Sequence, residues 1–60
     1  MKKKAIKAMK KYLQWVEDDF IHTEWEHEDY ENVMVYEDVN GDIICIERDE
    51  NNNIIDAWEE

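Results

Sequence analysis

Proline is absent, and glycine, cysteine and arginine each occur once, as Gly41, Cys45 and Arg48, in a chain of 60 residues. A lone cysteine excludes a disulfide framework. A lone glycine excludes the glycine-rich loops that cradle phosphate groups. No apolar run approaches the ~20 residues that span a bilayer. After Met1-Lys2-Lys3-Lys4-Ala5-Ile6-Lys7, Lys10 and Lys11 break up the apolar stretch that a secretion signal needs. An unpaired thiol suits a reducing compartment, so a cytoplasmic location is expected. Catalysis is not expected, because so short a chain buries only ~60% of its unfolded surface and hardly encloses the cleft that acid-base chemistry requires.

What is present is charge, unevenly divided. Asp and Glu number 17 against 7 Lys and Arg, for a net charge of -10. Six lysines (Lys2, Lys3, Lys4, Lys7, Lys10 and Lys11) fall in the first eleven residues, where there is no acid, and this leaves -16 on the remainder. Such a body is repelled by nucleic-acid phosphate and by anionic membrane alike, so neither is an expected direct partner. Hydrophobic residues still make up 43%, including three Trp, three Tyr and Phe20, more than a disordered acidic tail carries. One small folded domain over residues 1–60 is expected.

Ile6, Met9, Leu13, Val16 and Phe20 recur at steps of three and four and predict a helix from about residue 2 to 19 or beyond, with this stripe against the core. Trp15 lies roughly 130° round the cylinder from that stripe. The helix charges oppose its dipole, lysines first and Glu17, Asp18 and Asp19 last. Residues 20–32 admit two readings: continued helix, with Thr23 and Glu26 as a capping box, or a strand, from the alternation of Ile21, Thr23, Trp25 and His27 with their polar neighbours. Helix is the reading adopted. From Val33 the period is two, giving strands over residues 33–39, 42–48 and 54–58, with Asn40-Gly41 as a two-residue type I′ hairpin turn. The fold class is therefore α+β, a long N-terminal helix on a three-stranded antiparallel meander, four-stranded if residues 20–27 are extended.

Pairing Val39 with Asp42 places Val33, Val35, Val39, Ile44, Ile46, Ile55 and Ala57 on the helix side of the sheet. The opposite face then carries Met34, Tyr36, Ile43, Cys45, Ile54 and Trp58. One helix covers one face, so the second calls for cover by residues 20–32, by a homodimer or by a docked partner.

Eight carboxylates crowd fifteen residues: Glu17, Asp18, Asp19, Glu24, Glu26, Glu28, Asp29 and Glu31. Such an array imitates the phosphate track of DNA, with Trp15, Trp25 and Tyr30 as apolar anchors and Asp38, Asp42 and Glu47 as extensions. Its bland alternative is a solvated face. Glu24-Trp25-Glu26-His27 has the Glu-x-x-His spacing of carboxylate-bridged metal sites in helical bundles, but such sites need a second copy and two further glutamates. No cofactor is expected. Cys45, in mid-strand between Ile44 and Ile46, reads as a small packing residue, not a nucleophile. In size and charge the chain resembles the small acidic proteins of phages and mobile elements that block host nucleic-acid-binding machinery by imitating DNA. The resemblance implies a stoichiometric inhibitor whose partner is a basic, nucleic-acid-binding protein. The alternative is a small homodimeric interaction or assembly module using the sheet face of Met34, Tyr36, Ile43, Cys45, Ile54 and Trp58, its acidity serving solubility.

Overall fold

The computed structural model describes residues 3–60; Lys2, where the expected helix begins, lies outside them. Helix α1 runs Lys3–Glu17 and is followed by strands β1 (Ile21–Glu26), β2 (Val33–Asp38), β3 (Ile43–Arg48) and β4 (Ile54–Glu59). The strands form one antiparallel sheet in the order β1-β2-β3-β4. The helical reading of residues 20–32 is thus corrected, and the reason lies at the helix end. Asp19 takes a left-handed conformation (φ 54°). The Phe20 N–H then donates to the Trp15 carbonyl at 2.8 Å and the Asp19 N–H to that of Val16 at 3.3 Å. This pair of bonds satisfies the last carbonyls and turns the chain away, as helix-terminating left-handed residues do. Ile21 to Glu26 then pair along β2, with a bulge between Ile21 and Thr23.

The two hairpins on either side of β3 share one turn, eleven residues apart. The Gly41 N–H donates to the Asp38 carbonyl and the Asp38 N–H to the Asp42 carbonyl, both at 3.1 Å. Asn52 and Asp49, and Asp49 and Asn53, make the corresponding bonds at 3.0 and 2.9 Å. In each turn the leading aspartate accepts two further N–H groups, Asp38 from Asn40 and Asp42 and Asp49 from Asn51 and Asn53, all at 2.9 Å. For Asp49, donation from the Asn53 N–H is the largest influence and, joined by the Asn51 N–H and the Asn53 side chain, outweighs desolvation and holds its carboxyl below the usual range. The left-handed residue comes fourth, Gly41 at φ 85° and Asn52 at φ 69°. These are three-residue loops built on a type I turn and one left-handed residue, not the two-residue type I′ turn that Asn40-Gly41 predicts.

That one-residue difference moves the register. Tyr36 pairs with Ile44 and Val35 with Cys45, so the expected face assignments of β2 and β3 no longer match each other. On the helix side lie Tyr36, Ile44, Ile46 and Ala57, packed with Ala8, Tyr12 and Trp15 and flanked by Met9, Ile21, Met34 and Ile54. Val33, Val35 and Cys45 form the core of the reverse face, with Ile43 and Trp58 beside them. Val39 and Ile55, expected in the core, are exposed.

The helix is also rotated from expectation. Ala5, Ala8, Tyr12 and Trp15 are its buried positions, while Ile6, Leu13, Val16 and Phe20 of the predicted core stripe are exposed. Both sets follow three-four spacing, one residue apart. The alanines let the backbone approach the sheet, where α1 packs chiefly on β4 and reaches β3. The Tyr12 and Tyr36 rings meet at 4.6 Å, and Arg48 donates to both hydroxyls, at 3.0 Å to Tyr12 and 3.1 Å to Tyr36. Burial first, and the Tyr12 hydrogen bond second, push the Tyr36 phenol up. Burial opposes the Arg48 charge, but bonds to Tyr36 and Tyr12 outweigh it and hold its pKa above the usual value.

Backbone strain at the left-handed positions is measurable. Nothing lies within 4 Å of a Cβ added at Gly41, so Gly41→Ala is opposed by its positive φ alone and is expected to cost ~1 to 2 kcal/mol. Asp19→Gly removes the same strain and a carboxylate at the negative end of the helix dipole, and stabilises by ~1 kcal/mol. Urea midpoints of the two variants check both signs.

Candidate protein-binding surface

The eight crowded carboxylates lie along one margin of the molecule. Glu17, Asp18 and Asp19 close the helix just before β1, Glu24 and Glu26 lie on β1, and Glu28, Asp29 and Glu31 follow in the turn to β2. All eight are exposed. β1 is an outer strand of the sheet, and five of its six residues are exposed, on both faces. Among the described residues none of the eight enters an ion pair; Lys11 instead meets Asp42 at 3.7 Å and Glu59 at 4.0 Å. Asp18 does accept a hydrogen bond from the Gln14 side-chain amide at 3.0 Å.

The extensions and anchors fare unevenly. Asp38 is buried and committed to its turn, so it leaves the array, while Asp42 faces Lys11 and Glu47 sits mid-sheet opposite Val33 and Asp56. Trp15 is buried against the sheet and is no surface anchor. Trp25 remains 39% exposed on β1, between Glu24 and Glu26 and on the reverse face from them. Tyr30, 58% exposed, packs its ring 4.8 Å from His27 and 6.0 Å from Trp58.

The six residues expected to form one docking face are divided between two. Met34, Tyr36 and Ile54 belong to the helix side, and Ile43, Cys45 and Trp58 to the reverse. The three-residue turn is the physical cause, since a one-residue slip exchanges faces. The core of the reverse face is buried within the chain, flanked by the aromatic group of His27, Tyr30 and Trp58. Part of the segment 20–32 therefore supplies cover that the sequence reading offered as one of its three options.

Two other chemical groupings lie near this margin. Glu24 and His27, three apart on a helix, would share a face; on an extended segment three residues apart they point to opposite sides. A different set does converge, the His27 imidazole, the Cys45 thiol and the Glu60 carboxylate, whose ligand atoms lie within 4.8 Å of one another. Sequence spacing gave no sign of it, because its members come from a turn, a central strand and the residue after β4. Its donor chemistry does not suit a metal. The Asp29 N–H donates to His27 Nδ1 at 3.0 Å, which assigns the neutral ring's proton to Nε2, the nitrogen facing Glu60 Oε1 at 3.6 Å. A metal at Nε2 needs the opposite tautomer. Burial, reinforced by the Glu60 charge, pushes the Cys45 thiol up to about 11, away from the thiolate that electrophiles require.

No protein-family model, curated protein or solved structure matches the chain. Among the described residues no helix is long and apolar enough to cross a membrane.

Cys45 is fully buried and its thiol protonated at neutral pH. Iodoacetamide at pH 8 is expected to leave the folded chain unmodified and to alkylate it in denaturing urea. Mass spectrometry of both samples reads the outcome, and rapid labelling of the folded chain would contradict it.

Proposed function

We propose that the chain is an acidic inhibitor that occupies the basic cleft of a nucleic-acid-binding protein, with the carboxylates of Glu17 to Glu31 standing in for backbone phosphates. The observation that supports this most is the row of eight exposed carboxylates along the β1 margin, unpaired among the described residues. Charge steers the encounter and sets its salt dependence, while exposed aromatic surface at Trp25 and Tyr30 adds affinity that salt does not screen. Three acids at the helix C-terminus oppose the dipole, at ~0.3 to 1 kcal/mol each, so folding stability does not explain their placement. A cytoplasmic setting, where such partners act, belongs to the same reading.

Affinity for a basic nucleic-acid-binding protein should fall steeply between ~50 and ~200 mM salt and be lost to competing duplex DNA. Replacing Glu24, Glu26 and Glu28 together by Gln is expected to weaken capture at least ~10-fold without unfolding the chain, because all three are exposed. Pull-down with salt-step elution, followed by DNA competition on the captured protein, measures both. Binding that salt, DNA and the triple substitution leave unchanged would refute the reading.

A further inference from the structure

Two features of α1 remain unexplained by the fold and by the acidic margin. Ile6, Leu13 and Val16 stand 38%, 50% and 51% exposed in one stripe, with Met9 half-buried between them, and Phe20, 38% exposed, follows the helix end. Scattered apolar side chains on a surface are ordinary; a continuous stripe at heptad-like spacing along a helix is not. The second feature is the reversed charge order, with Lys4, Lys7, Lys10 and Lys11 in the first turns and Glu17, Asp18 and Asp19 at the end.

We infer that the stripe is the two-fold interface of a homodimer in which the α1 helices of two copies pack antiparallel. The antiparallel arrangement is what makes the reversed charges complementary, because it lays the lysine end of each helix beside the carboxylate end of the other. At 100° per residue Lys10 and Glu17 lie within ~20° of each other on the outer flank of the stripe, next to Ile6 and Leu13. Centring the pair on Leu13, the middle of the stripe's more exposed part, sets Lys10 within one residue's rise, ~1.5 Å along the axis, of Glu17 of the second copy. A two-fold contact of this kind closes on itself, engages the carboxylates of the helix end and leaves Glu24, Glu26, Glu28, Asp29 and Glu31 of both copies free. A parallel pairing would instead lay the lysine end of each helix beside the lysine end of the other. The homodimer expected from the sequence therefore reappears on a different surface, the helix instead of the sheet.

Sedimentation equilibrium at physiological ionic strength tests this on the full chain. A mass of twice 7.4 kDa is expected. Leu13→Glu and, separately, Val16→Lys should give monomers whose circular dichroism is unchanged, since both side chains face solvent in the single chain. Lys10→Glu alone and Glu17→Lys alone should each weaken association ~10-fold, and mixing these two variants should restore it as a heterodimer. A chain that stays monomeric up to ~1 mM would overturn the inference, as would stripe variants that dimerise normally. A mixture of charge variants that associates no better than either alone would overturn the antiparallel geometry. A monomer whose stripe instead carries it onto phosphatidylserine vesicles would assign the surface to lipid.

Discussion

The structure depends on how α1 seats on the sheet. Ala8, with no exposed surface, brings the helix close, and Tyr12 and Trp15 fill the space over Tyr36, Ile44, Ile46 and Ala57. Each aromatic side chain supplies a large apolar area to a chain this small. Their polar tips are the difficulty, and the single arginine meets it. Arg48 donates to the Tyr12 and Tyr36 hydroxyls and lies 5.7 Å from the Tyr12 ring centroid, so among 17 acids the one guanidinium is joined to two phenols. No buried side-chain polar atom among the described residues lacks a partner.

From that seating the distribution of surfaces follows. A helix over β4 and β3 leaves β1 at the far margin, with its residues in solvent on both faces. An open strand edge invites unwanted pairing, and charged side chains are a common guard. The density here exceeds that need, because the carboxylates continue past both ends of the strand into the helix terminus and the β1-β2 turn. The rotation that buries Ala5, Ala8, Tyr12 and Trp15 likewise exposes the aliphatic stripe. The acidic margin and the apolar stripe are thus separate products of one packing choice.

Much of this was legible in the residues. The helix, the three C-terminal strands and the meander order follow from period changes at Val33 and from turn chemistry, and the fourth strand was one of two readings of residues 20–32. The helix face was not legible, because two stripes of equal spacing lie one residue apart and hydrophobicity favours the aliphatic one. What decided between them was the close approach alanine permits and a phenol partner 36 residues away, neither visible in a periodicity. The register was missed for a similar reason. Asn40-Gly41 marks the hairpin, but the Asp38 carboxylate, by gathering the Asn40 and Asp42 N–H groups, selects a three-residue loop. The carboxylate row was found by counting, whereas its exposure and lack of partners required the fold, and Trp15 left the candidate surface once the helix was seated.

Relative sensitivity of the two helix faces tests the seating most directly. In dilute solution, where the chain is monomeric, urea unfolding of Ala8→Leu should show a loss of ~1 to 3 kcal/mol from overpacking, while Leu13→Ala stays within ~0.5 kcal/mol of the parent. The reverse order, with Ala8→Leu tolerated and Leu13→Ala costing the ~2 kcal/mol or more of a core truncation, would contradict the account.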